Sequence, residues 1–310
     1  MASSGATTPS SVVRAIQLAG TWRPEREWLH PTTLRRLRLV VLGVYIGLLG
    51  MAYRTWPQYE TSPDWILWRA LPEAIAQGRI YDTATEAPFV WSPVAAWLMA
   101  IAAQFYWPWA IAHVAAVFLI RDWRLIVLVF LSWGFWTSTA SGAPFIFVFV
   151  AGVLGLQGRF GGAIAYLALT LLMPRPVQIP LALGLLWRMP STRWPFVALF
   201  ILHGVIVLWS GYMGDWIRAM FGHALPAGNW GPTSVIGLWW LALGVPLGIW
   251  LTLRGNFGLA GLAISPYWLP EYLMMGLLDL VPPRRRPIDR TRARATEAVT
   301  PGVVEIEAPS

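Results

Sequence analysis

The stretch SPVAAWLMAIAAQFYWPWAIAHVAAVFLI, residues 92–120, carries no charged side chain. It decides the fold, because at ~1.5 Å per residue it is longer than one bilayer crossing needs and short for two. Read as a single long helix kinked at Pro108, it crosses once. Arg121, Arg124, Arg159, Arg188, Arg193 and Arg254 then fall on the side of the basic flanks of the chain, as the positive-inside rule requires. Read as two short crossings divided at Pro108, it moves most of those arginines to the opposite side. The charge distribution favours the single kinked crossing.

Outward from this run the chain alternates in the same way. Apolar runs occupy 37–53, 125–137, 143–157, 161–174, 177–188, 194–210 and 235–253, and a broken run at 257–281 is interrupted by SPYW. Several are shorter than the ~17 residues of a clean span, which predicts short, tilted or proline-kinked helices. The expected fold is an all-α, polytopic transmembrane helix bundle of about eight to eleven membrane segments. Its domain organisation is a basic cytoplasmic leader at 1–36, a membrane domain at 37–281 and a disordered basic cytoplasmic tail at 282–310. That places the protein in the cell membrane as a multi-pass chain with both termini cytoplasmic. The first run, 37–53, reads as an uncleaved span, since it lies too far from Met1 for a signal peptide.

Composition agrees. The 310 residues are 56% hydrophobic and 12% charged, with 21 Trp, against about 25% charged residues in soluble domains. The net charge of +8 comes from arginine alone, concentrated at residues 14–38 and 284–294. No basic stripe interleaved with stacking aromatics accompanies it, so nucleic acid is not an expected partner and membrane lipid is. Cysteine is absent, which excludes disulfides and thiolate chemistry. The four histidines show no metal-ligand spacing. The glycines of GLQGRFGG, 155–162, join two apolar runs and predict a tight turn rather than a nucleotide loop.

This topology collects residues 54–91, SGAP at 141–144, MPRP at 173–176, the 211–234 connection and SPYWLPEY at 265–272 on the outer face. Most ionisable groups outside the arginine anchors lie there, and charges near bilayer depth persist mainly where they line a cavity or substrate path. Within SPDWILWRALPEAIAQGRIYD, 62–82, Ser62 or Asp64 can cap a helix. Trp65, Trp68, Ile75 and Ala76 then alternate with Arg69, Glu73 and Gln77 at helical spacing, which predicts an interfacial helix lying flat in the first extracytoplasmic loop, and Gly78 suits its C-terminal cap. The plain reading of Asp64 is that cap; its position beside the headgroups, in a chain poor in acids, gives it a second.

The order of these features resembles the polyprenol-phosphate-mannose-dependent mannosyltransferases of the GT-C class of integral-membrane glycosyltransferases. The matching residues are Asp64 after the first span, GRIYD at 78–82, FVWSP at 89–93, NWGPTSVIGL at 229–238 and ISPYWLPEY at 264–272. The resemblance covers most of 37–281, through motifs that are each short. Two departures stand out. GAPF at 142–145 replaces the family's Gly-Gln-x-Asn, and Met173 stands where the family has a lysine, with Arg175 the nearby cation.

The resemblance implies transfer of a hexose, read as mannose, from a polyprenyl-phosphate donor to an extracytoplasmic lipid or glycan acceptor, with inversion. Asp64 would deprotonate or orient the acceptor hydroxyl, as general-base work requires. Arg175, then Arg79 and Arg218, would meet the donor phosphate, for which a guanidinium is the suited fork. Tyr81, Asp82 and Glu271 are the candidates for sugar or acceptor hydroxyls. No cofactor is expected; a divalent cation between Asp64 and the donor phosphate is an option that relatives in the wider class use. Two other readings stand beside this one. The first is a catalytically inactive membrane subunit that binds lipid or a partner, which the two departures favour. The second is a small-solute transporter, against which stands the scarcity of polar residues in the middle of the runs.

Overall fold

A computed structural model describes residues 63–82, 89–222 and 231–281. The leader, the 37–53 run and the basic tail lie outside the described residues, as do Ser62, Asn229, Trp230 and the side chain of Asp64. Every described element is helical. The α-helices are α1 (Pro63–Ala76), α2 (Pro93–Ala102), α3 (Tyr106–Val117), α4 (Trp123–Leu131), α5 (Trp133–Ser141), α6 (Phe145–Leu156) and α7 (Phe160–Leu172). They continue with α8 (Ile179–Arg188), α9 (Arg193–Trp209), α10 (Met213–Gly222), α11 (Thr233–Ile236), α12 (Trp240–Arg254), α13 (Phe257–Ile264) and α14 (Pro270–Leu273), and a 3-10 turn follows at Met274–Leu280.

Two stretches, Pro190–Trp209 and Thr233–Arg254, are long and apolar enough to cross a membrane, and α2 with α3 forms a third candidate. The two long stretches show how such a chain differs from a soluble one. Trp194 is 81% exposed, Trp209 83% and Trp239 82%. Large apolar surface left open along whole helices suits hydrocarbon rather than water.

The 92–120 run does not form one kinked helix. Instead α2 and α3 meet at a corner of 108° around residues 103–105. The cause is where Pro108 falls. It sits in the first turn of α3, where a missing N–H removes no intrahelical hydrogen bond, so it starts a helix rather than bending one. The end of α2 tightens through Gln104 N–H to Ile101 O and Phe105 N–H to Ala102 O. The 125–137 run also divides. Ser132 ends α4 by donating to Val129 O at 2.7 Å and begins α5 by accepting from Phe135 N at 3.2 Å.

Other sequence expectations fit their local physics. GLQGRFGG is a helix hairpin, turned at Gly158 with φ +78° and closed by Arg159 N–H to Leu154 O. The 257–281 run breaks at 265–269, between α13 and α14. Helix α1 ends as predicted at Gly78, with Gly78 N–H to Ile75 O and Arg79 N–H to Ala74 O. It is held more firmly than an interfacial helix, burying Trp65, Leu67, Trp68, Leu71 and Ala74 while Arg69, Glu73 and Gln77 stay exposed.

One helix sets the spacing of the rest. Helix α13 is approached by backbone on three sides. A Cβ on Gly261 would stand 2.1 Å from Val177 O, one on Gly258 2.1 Å from Met275 O, and one on Gly244 of α12 2.2 Å from Ala263 O. Such small-residue contacts are how apolar helices pack closely where no hydrophobic force separates them from lipid. Asp279 pins the start of α13 by accepting from Gly258 N at 2.8 Å and Leu259 N at 2.9 Å. Gly261→Ala must therefore displace the 176–178 backbone, at a cost of about 1–3 kcal/mol. Thermal unfolding in detergent should show a lower melting temperature for that variant. Gly161→Ala, where nothing lies within 4 Å of the added Cβ, should leave it unchanged or slightly higher.

Candidate functional site

The segments read as the outer face do meet at one end of the bundle. Tyr81 OH donates to Trp91 O at 2.8 Å, and its ring lies 6.1 Å from that of Tyr212. Trp216 Nε1 donates to Val90 O at 3.2 Å. Ser92 N donates to Leu172 O at 3.0 Å, and Thr233 donates to Pro266 O. At this end a narrow cavity of about 20 Å³ is lined by Trp91, Ala143, Phe145, Met173, Arg175 and Gln178, with Pro144, Glu271 and Tyr272 completing its wall. Four of the short motifs, FVWSP, GAPF, MPRP and SPYWLPEY, thus supply its lining.

Arg175 is the centre of this arrangement. It follows α7 and precedes the Pro176–Gln178 turn, and the Pro176 ring disfavours a helical backbone at the residue before it, so Arg175 is extended. The side chain is half-buried. Nη1 donates to Tyr267 Oη at 2.7 Å, and Cζ lies 5.8 Å from the Trp91 ring, 6.0 Å from Tyr267 and 5.9 Å from Tyr272. Rings at these distances present their negative faces to the cation. Burial works against the Arg175 charge, but Tyr272, Tyr267 and Glu271 outweigh it and hold its pKa above the ordinary arginine value. Burial likewise raises the Tyr267 phenol. The Arg175 charge and the hydrogen bonds from Tyr272 and Arg175 overcome that and hold it below a usual tyrosine.

The opposite wall is fixed from behind. Gly142 ends α5 with φ +71°, and a Cβ there would stand 2.6 Å from the Trp65 ring of α1. Trp109 Nε1 donates to Gly142 O at 2.7 Å. Ala143 O accepts from Ser138 Oγ at 2.6 Å and faces His113 Nε2 at 2.9 Å. Helix α1 therefore abuts this wall, and Trp68 packs on Trp91 with ring centroids 5.5 Å apart.

The predicted residues divide accordingly. Arg175 and Glu271 share the cavity. Asp64 belongs to the first turn of α1, the helix whose Trp65 and Trp68 touch the cavity wall, but its side chain lies outside the described residues. Tyr81 is near, its hydroxyl committed to the Trp91 carbonyl. Arg79 and Asp82 are exposed, and Arg79 bonds to Gln77. Arg218 is exposed and paired with Asp215 on α10, away from the cavity lining. Sequence reasoning missed Trp91, Tyr267 and Tyr272 as a cage, although they lie in quoted motifs, and missed Gln178. A lone amide three residues after Arg175 in an apolar run was its signal. Among the described residues no cluster of His, Cys, Asp and Glu could hold a metal ion.

Tyr267→Phe removes the acceptor of a charged donor, worth about 1.5–3 kcal/mol, and leaves the ring. Its melting temperature in detergent should fall, and fall further than that of Tyr212→Phe. Compared with protein-family models, curated proteins and solved structures, the chain matches none.

Proposed function

We propose that the chain is a membrane glycosyltransferase that moves a hexose, read as mannose, from a polyprenyl-phosphate donor to an extracytoplasmic lipid or glycan acceptor with inversion. One observation carries this reading. Two segments that carry the resemblance, FVWSP and ISPYWLPEY, line one cavity together with GAPF and MPRP, the two places where the chain departs from the family pattern, around a half-buried guanidinium. In this reading the bundle is GT-C-like. The short apolar helices α6 and α7 and the α2–α3 corner supply further membrane segments toward the expected eight to eleven, with both termini cytoplasmic.

The chemistry divides by charge. An acceptor oxygen attacks the anomeric carbon as the bond from that carbon to the phosphate oxygen breaks. The acceptor proton passes to a carboxylate, assigned to Asp64, and the electron pair leaves with the polyprenyl phosphate. Arg175 offers N–H groups to the charge that grows on the departing oxygens, the kind of fixed donor that lowers a barrier most. Glu271, which shares the cavity lining, is assigned to sugar or acceptor hydroxyls. The room at the base is about 20 Å³, space for a water rather than a sugar, so substrate binding must displace a lining side chain. Met173 is the adaptable one.

That narrowness also favours a second reading, a catalytically inactive subunit that binds lipid or a partner through the same end. Transfer of radiolabelled mannose from polyprenyl-phosphate mannose in isolated membranes separates the two. Arg175→Ala and Asp64→Asn are expected to lower transfer by about 10²–10³-fold each at unchanged expression. An inserted wild-type chain without transfer, or Arg175→Ala with full transfer, would overturn the enzymatic reading.

A further inference from the structure

Gln178 is completely buried, and neither Nε2 nor Oε1 has a hydrogen-bond partner. Buried amides are nearly always paired, so an exception calls for a cause. The backbone of this residue is fully engaged: its N–H donates to Arg175 O at 3.0 Å, and its carbonyl accepts from Tyr166 OH at 3.0 Å. The amide is therefore held in place with its polar end unused. It lines the same cavity as Arg175.

The unused amide and the Arg175 guanidinium share this lining, and Glu271 places a carboxylate there as well. An oxyanion is attracted to Arg175 and Gln178 and repelled by Glu271, whereas a hydroxyl suits any of them. We infer that Gln178 is a second binding group for the donor's phosphosugar head. In this assignment Nε2–H donates to a non-bridging phosphate oxygen, and Oε1 accepts from a sugar hydroxyl beside it. The assignment rests on the function proposed above. It adds a residue that the sequence motifs do not mark, and it puts the amide and the guanidinium on one segment, 175–178.

The test uses the full chain in detergent micelles, titrated with farnesyl phosphate and with farnesyl-phosphate mannose, and read by ligand-induced shift of the melting temperature. Gln178→Met keeps the length and volume of the side chain and removes its polar atoms. Without ligand it should melt higher than wild type, because the unused buried amide is gone. With ligand its affinity should fall about tenfold for farnesyl phosphate and further for the mannosylated probe, which loses both contacts. Opposite signs for stability and binding are a signature that a merely structural glutamine does not give. Gln178→Asn, an amide one methylene short, serves if the methionine variant is not recovered, and it too should bind about tenfold more weakly.

If wild type binds, Arg175→Met abolishes binding and the Gln178 variants bind as wild type does, this inference fails while the proposed function stands. If wild type binds neither probe, the reading beneath it fails as well. If the Gln178 variants weaken both probes equally, the amide contacts phosphate alone and the sugar contact is refuted.

Discussion

A guanidinium kept partly out of water is the constraint on which the rest of this structure depends. Taking a charge from water is costly unless it is met by fixed partners, and here the partners are a phenol oxygen and the faces of three rings. Those rings come from residue 91 and from 267 and 272, far apart in the chain. The environment of Arg175 therefore exists only when the start of α2, the end of α7 and the 265–272 connection are brought together. The close approach of α13 at Gly261 to the Val177 carbonyl is what lets them meet. A larger residue at that point of α13 would separate the segment that carries Arg175 from the one that carries its rings.

Much of the fold could be read from the sequence, because apolar runs and their punctuation are local. Gly78, Gly158 and the Ser-Pro-Tyr-Trp break mark real ends of helices. The exposed tryptophans of α9 and α12 are the structural form of the unusual composition. What misled was proline. Pro108 in the middle of an apolar run reads as a kink, yet its effect depends on which turn of a helix it occupies, and that is fixed by Gln104 and Phe105 ahead of it. Ser132 divides another run without any change in hydrophobicity that a pattern would register.

The site was legible in part for a related reason. Arg175 and Glu271 are rare charges in an apolar chain, and they lie in short segments that the expected topology puts on one face. Convergence is non-local, so nothing in MPRP says that Tyr267 will accept from its arginine. Arg218 fits the same criterion of rarity and turns out to be an exposed partner of Asp215. Gln178 shows the converse, since a lone amide in an apolar run is a faint signal beside a charge, and only its surroundings show that it is unpaired. The departures from the family pattern also look different in three dimensions. The GAPF turn contributes carbonyls that other side chains secure, while Arg175, Gln178, Glu271 and Tyr272 bring polar side chains to the cavity lining.

The two walls of that cavity differ in stiffness. On one side the Gly142 and Ala143 carbonyls are clamped by Trp109, Ser138 and His113, with the Trp65 ring behind the glycine. On the other stands Met173, an unbranched chain with several rotatable bonds. Adaptation to a bulkier or slimmer guest thus has a single inexpensive route, through position 173, while change at 142–143 would propagate into three helices at once. Descendants of this chain that diverge in what they accept should differ first at the methionine and last at the glycine.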